Sequence, residues 1–236
     1  LDGFRRVRAS AGDSCSRKLF DFAPMRPGRM KTYRFETQDA YYSQYAHSLF
    51  ALTMPRAGLD CLRHYEILAS GAIPFFIHSE ALNASPLSMY AFPRELVRQA
   101  AALPGVPSEA EVERAWQTDA ELHVNHTAFD LRAYCMLRAR LLAHTEAKLT
   151  TTTLARYVLE QLALANPAAL PHAMARGAAS PVGSSVGQFR VLLVSSKGVS
   201  GDTWENAWLY HGLVSLLGNR GLSSWLGRKE VLYDDF

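Results

Sequence analysis

A chain of 236 residues holds one large domain, or one domain and part of a second, and its 48% apolar and 20% charged content is that of an ordinary globular protein. The formal net charge is only +3, and the densest basic cluster, Arg5, Arg6 and Arg8, has no interleaved aromatics, which argues against nucleic acid as a partner. No apolar run reaches membrane-spanning length, and Cys15, Cys61 and Cys135 give neither a disulfide framework nor metal-ligand spacing.

Residues 1–30 read as basic and irregular, punctuated by Pro24, Pro27 and Gly28. Lys31–Phe35 is expected as a short strand, and Asp39–Ala46 as a helix with an aromatic stripe of Tyr41, Tyr42 and Tyr45. Ser48–Met54, SLFALTM, has the length and composition of a buried strand. A helix follows from about Asp60 to Ser70, with Gly71 where a C-terminal cap belongs, and Ile73–Ile77 is the next buried strand. This β-α-β-α-β order with short loops predicts a parallel sheet covered by helices. Cys61 and Cys135 fall among apolar residues and are expected as small core residues.

Beyond Pro93 the pattern turns helical. Ser108 and Glu111 form a capping box ahead of a helix reaching Leu122. A long helix is predicted over Ala128–Ala147, and another opens at Thr150–Thr153 and ends near Asn166-Pro167. Residues 168–187, rich in Ala, Pro, Gly and Ser, read as a linker. Phe189–Val194 is then a strand, Ser195–Gly201 a loop with Gly198 and Gly201, and Asp202 with Glu205 caps a helix closing at Gly218. The expected fold class is α/β: a Rossmann-like parallel sheet with a helical C-terminal extension and the start of a second β-α unit. The corresponding domains are 1–167, the linker 168–187, and a partial unit over 188–236.

The chemistry concentrates in Pro55–Pro74, PRAGLDCLRHYEILASGAIP. A helix N-terminus near Asp60 offers unpaired N–H groups and the positive end of the helix dipole to a diphosphate. Gly58 allows close approach of a ligand to the backbone. Arg56 and Arg63 offer forked donors to phosphate oxygens. Glu66 lies three residues after Arg63 on the same face, where a carboxylate could accept from a ribose diol. The plainer alternative is a surface ion pair between Arg63 and Glu66, worth roughly 0.2–0.5 kcal/mol. His78 follows the predicted strand at its carboxyl end, where α/β proteins bind ligands.

From about Lys31 to Leu162 the chain resembles the exostosin-like, GT-B-type glycosyltransferases, in their C-terminal, donor-binding half. The resemblance is carried by Tyr41-Tyr42, by Ser48 and Phe50, and by RAGLDCLRHYEILASGAIPFF. Within that run Arg63, Glu66, Gly71, Ile73 and Pro74 are similar to the R-x-x-E, glycine and Ile-Pro pattern that marks the family's nucleotide-sugar site, and Pro55-Arg56 to its Pro-Arg-Gly-like loop. The resemblance implies sugar transfer from a nucleoside diphosphate sugar to an acceptor hydroxyl. It implies donor-binding roles for Arg56, Gly58, Asp60, Arg63, Glu66, Gly71 and His78, with no metal and no cofactor beyond the donor substrate. Many retaining members carry a second glutamate eight positions before the ribose-binding one; here that position is Gly58, so no retaining mechanism is implied. FRVLLVSSKGVSGDTWENAWLYHGL is similar to the start of a GT-B N-terminal domain, placed here after the donor half.

The rival reading is a non-catalytic Rossmann-like module kept for binding or assembly, since no catalytic base is identifiable. The implied partners are a nucleotide-sugar, a glycan or other hydroxyl acceptor, and a further domain of a longer parent protein, which the start at Leu1 suggests. The compartment, cytoplasmic or Golgi-lumenal, would follow that parent. His123 and His126 form an H-x-x-H pair, but a metal site would need more ligands nearby and none is obvious from the sequence. Trp204, Trp208 and Tyr210 read as helix packing, and Gly198 and Gly201 alone are a weak phosphate signal.

Overall fold

The computed structural model describes residues 2–12, 15–55, 60–83, 89, 91–165, 191–194 and 204–225. Two compact units divide at Lys148. The first is mixed α/β. Its elements are α1 (Asp2–Ser10), β1 (Phe20–Phe22), α2 (Gln38–Ala46), β2 (Ser48–Thr53), α3 (Leu62–Ser70), β3 (Ile73–Phe76), α4 (Arg94–Ala101), α5 (Glu109–Thr118) and α6 (Leu131–Lys148). The three strands form a parallel sheet in the order β1-β2-β3.

Central β2 is buried at all six positions, as a strand covered on both faces must be. Its alternating side chains divide between two layers. Ala51 joins Ala23, Met25, Tyr45, Ile67 and Ala72 on the side of α2 and α3. Phe50 stacks with Phe22 of one flanking strand and meets Phe75 of the other, Phe129 and Tyr134 edge-on. Tyr134 of α6 is fully buried, and its hydroxyl donates to the Leu49 carbonyl at 2.7 Å. Pro74 sits on an edge strand, where its missing N–H is tolerated.

Basic side chains satisfy the carbonyl ends of three helices. Gly71 closes α3 in the left-handed conformation, φ 82°. Arg8 of α1 donates to the Ala69 carbonyl, and Arg138 of α6 donates through Nε to the Gly71 carbonyl at 2.8 Å. Lys18 donates to the Ala46 carbonyl at the end of α2. Arg26 donates to the Ala115 and Ala120 carbonyls at the end of α5. Orphan carbonyls and the negative end of the helix dipole both favour cations there.

Several expectations change. The strand expected over Lys31–Phe35 is a 3₁₀ turn at Met30–Thr32 followed by Tyr33 and Phe35, which pack against the core. The edge beside β2 is taken by Phe20–Phe22, in register with Ser48 and Phe50. That strand is too short to announce itself by alternation. The N-terminal region contains the helix α1, whose Val7 packs with Tyr42 and Ala46; its arginines hid the apolar spacing. Cys135 is not a free core residue. It bonds to Cys15, 120 residues away, and Cys61 is the free thiol.

In the second unit, α7 (Thr151–Ala165) packs on α8 (Trp204–Gly221) through Ala155, Leu159, Leu213 and Leu217. Gly212 lies so close to the Thr151 carbonyl that no side chain fits. β4 (Val191–Val194) pairs in parallel with β5 (Leu222–Trp225), which the sequence pattern did not announce. The expected boundary at 167 therefore lies upstream, because the apolar face of α7 is covered by α8. The expected linker and the Gly198–Gly201 loop fall outside the described residues.

Gly71→Ala is expected to cost about 1–3 kcal/mol, since alanine strains a left-handed position and its Cβ would lie 2.7 Å from Arg138 Nη2. Gly12, at φ 81° with nothing within 4 Å of a new Cβ, carries the conformational cost without the clash. Urea unfolding of both alanine variants should rank Gly71→Ala as the more damaging. Reducing Cys15–Cys135 should lower stability by about 2–4 kcal/mol, by freeing a long loop in the unfolded chain; unfolding with and without reductant, against Cys15→Ser, measures it.

Candidate functional site

α3 leaves the carboxyl end of β2 and returns to the amino end of β3. Its two ends therefore lie at opposite edges of the sheet. The N-terminus is on the edge where α/β proteins bind ligands. Its cap residue, Cys61, makes no side-chain cap hydrogen bond. Three parts of the sequence-derived site separate at this point.

Arg63 occupies the first turn of α3. Its guanidinium lies over the Tyr33 ring, 5.0 Å from the centroid. Nε and Nη1 are sheltered from solvent and have no hydrogen-bond partner among the described residues. Burial works against the charge, but Tyr33, Tyr45 and Cys61 outweigh it and the pKa is raised. Such donors cost about 1–3 kcal/mol each when left unmade. The same edge is built by Thr53, whose hydroxyl is 2.8 Å from Nδ1 of the fully buried His64.

Glu66 lies one turn further along, and it is occupied. Its carboxylate accepts from Tyr41 at 2.9 Å and Tyr42 at 3.5 Å. Tyr41 is 3.0 Å from the Tyr45 hydroxyl, and Gln38 donates to Tyr42 at 2.8 Å. Burial raises the Glu66 pKa, against the lowering effect of these hydroxyls and of Arg63. Burial also pushes the Tyr41, Tyr42 and Tyr45 hydroxyls up, so they remain donors. Glu66 thus joins α3 to α2 in a polar network. Among the described residues it forms no ion pair with Arg63.

Gly71 lies at the far end of α3, against Arg8 and Arg138. Its role there is to end the helix. Asp60 accepts from the Tyr65 hydroxyl at 2.6 Å and from the Met89 amide at 3.3 Å, pinning the segment before α3. His78 follows β3 at the ligand-binding edge, half-exposed, with Nδ1 3.8 Å from Glu80. Arg56 and Gly58 lie outside the described residues. Two surface cavities, of about 370 and 270 Å³, are lined by Phe92–Leu96 with Arg98 and His144, and by Phe75, Ser79, Val97 and Glu109 among others. Arg63 and Glu66 line neither.

The H-x-x-H pair acquires a partner that sequence reading missed. Asp21 of β1 lies 3.4 Å from His123 Nδ1 and 3.0 Å from His126 Nε2, and accepts from the Val124 amide at 3.1 Å. The three groups clasp the segment before α6 to the edge strand. More than a hundred residues separate Asp21 from the histidines, so no local spacing could have joined them.

No family model matches the chain, and no significant match to it exists among curated proteins or solved structures. Among the described residues no helix is long and apolar enough to cross a membrane.

The raised Glu66 pKa has a definite sign. The folded state holds the proton above the ordinary value of 4.5, so this group withdraws stability as pH rises from there through the folded value. Glu66→Gln lacks that loss. The stability of the glutamine variant relative to wild type should therefore increase with pH across the window and level off above it. Paired urea titrations from pH 4 to 8 test this; a flat difference contradicts it.

Proposed function

We propose that the first unit is the donor-binding half of a glycosyltransferase, transferring a sugar from a nucleoside diphosphate sugar to an acceptor hydroxyl, with GT-B-type architecture. The observation that carries the reading is Arg63. It stands in the first turn of a helix with no side-chain cap, at the carboxyl edge of a parallel sheet, with two sheltered N–H-bearing nitrogens that have no acceptor among the described residues. A diphosphate supplies such acceptors, and the helix terminus adds backbone donors and a favourable dipole. Charge on a departing diphosphate would be stabilised at the same place. Arg56, from the adjoining loop, is proposed to complete the anion cradle. The resemblance of RHYEILASGAIP to the family pattern supports the same substrate class.

The donor's ribose is proposed to bind without Glu66 as its direct ligand, because two tyrosine hydroxyls already engage that carboxylate. The same fact favours the second reading, a Rossmann-like module that binds a nucleotide or assembles with other domains without performing transfer. A Cys15–Cys135 disulfide fits an oxidising compartment such as a secretory lumen. The acceptor and the catalytic base are proposed to come from the remainder of the parent protein.

Arg63→Ala should weaken UDP or GDP binding by at least tenfold, as expected for loss of charged hydrogen bonds worth about 1.5–3 kcal/mol. Arg63→Lys should restore it only partly, because an ammonium lacks the planar fork. Calorimetric titration of the chain with each nucleotide reads the effect. Equal binding by parent and Arg63→Ala removes Arg63 from the site, and no binding of either nucleotide by the parent removes the glycosyltransferase reading.

A further inference from the structure

We propose a divalent-metal site formed by His78, Glu80 and Glu109, of a kind suited to Zn²⁺ or Mn²⁺. It does not rest on the glycosyltransferase reading. One ligand atom from each residue lies within 4.8 Å of the others. Metal–ligand bonds of about 2.0–2.2 Å bring ligand atoms to roughly 3–4 Å from one another. His78 Nδ1 and Glu80 Oε1 are already 3.8 Å apart, and small side-chain rotations would bring the set to that spacing.

Three observations point to a cation here. The first is the donor set. One imidazole and two carboxylates match a borderline first-row ion better than Ca²⁺, which takes oxygen alone. The second is charge. Two carboxylates converge, and among the described residues neither meets an Arg or Lys; the one ion-pair contact is Glu80 with His78. Bringing two like charges together is unfavourable; the N-terminus of α5 offsets part of this for Glu109, which lies in its first turn, and a bound cation removes the rest. The third is support. The Ser79 amide donates to Glu109 Oε1 at 2.9 Å, and the Ser79 hydroxyl donates to Oε2 at 2.6 Å. Each oxygen keeps a lone pair for a metal. Hydrogen bonds that fix a carboxylate from behind are what a metal centre uses to aim its ligands.

The position adds a use. Ser79 and Glu109 also line the 270 Å³ cavity, together with Phe75, Phe76 and Val97. A metal at its mouth, with three protein ligands, leaves coordination positions open. The site would therefore take a small molecule bearing an oxygen-donor head, carboxylate or phosphate, on an apolar body. The cluster lies just beyond the carboxyl end of β3, the usual ligand edge of a parallel sheet.

The test uses the metal alone. The metal-free chain is titrated with Zn²⁺ against a chromophoric chelator, and with Co²⁺ while recording visible absorption. One ion per chain is expected, with a Co²⁺ spectrum distinct from the hydrated ion. His78→Ala and Glu109→Gln should each weaken binding at least tenfold, and Ser79→Ala about tenfold through the lost support. Glu80→Gln, at an exposed position, should weaken binding without altering the melting temperature of the metal-free chain, separating ligation from folding. His126→Ala should leave binding unchanged. Absence of binding, or binding lost in His126→Ala and retained in His78→Ala, overturns the proposal.

Discussion

The carbonyl end of α3 is the point on which the first unit depends. Arg8 reaches it from α1 and Arg138 from α6, and both arginines are buried. α1 packs with α2 and α3 on one side of the sheet, while α6 carries Tyr134 against Phe50 on the other. The two guanidinium groups thus join both helical layers to a single crossover. Buried charge is costly unless it is hydrogen-bonded. Here the acceptors are carbonyls that the helix itself leaves unpaired. Glu146 holds Arg8 in place at 3.0 Å, and hydrogen bonds from Arg5 and Arg8 keep its own pKa low. Gly71 is required because a Cβ would strike the arginine that caps it.

The same device recurs at other helix ends. Lys18 and Arg26 repeat it at the ends of α2 and α5. Four basic residues far apart in sequence, Arg8, Lys18, Arg26 and Arg138, are thus used internally as caps on carbonyl termini. Trp116 adds to the α5 anchorage, donating to the Pro27 carbonyl at 2.9 Å while Arg29 lies over its ring at 5.8 Å. With both α3 and α5 held at their carbonyl ends, the opposite end of α3 lies at the carboxyl edge of the sheet. Among the described residues, no carbonyl or carboxylate accepts from Nε or Nη1 of Arg63. That contrast, more than any motif, supports an anion site there.

Much of the crossover was legible. The apolar run Ser48–Met54, the helix before Gly71 and the strand after it could be read because each carries its signal locally: composition, period and a cap. The Ser108–Glu111 capping box was equally local and forms as expected. β1 was not legible, since three residues cannot show alternation and its pairing with β2 is what makes it a strand. Nor was Glu66's fate. Position on the helix placed it beside Arg63, but its partners are hydroxyls from α2, brought there by the packing of two helices.

The sequence by itself determined the β2-α3-β3 crossover, the Gly71 and Ser108–Glu111 caps and the location of Arg63 at a helix start, because these depend on neighbours within a few residues. The tertiary structure decided which charges are spent and which are free. It joined Cys15 to Cys135, Asp21 to His123 and His126, Ser79 to Glu109, and Glu66 to its tyrosines. Each of those pairings spans at least 24 residues of sequence. Burial and hydrogen bonding act through space. A carboxylate's role is therefore set by whichever elements pack against it, and no spacing along the chain encodes that.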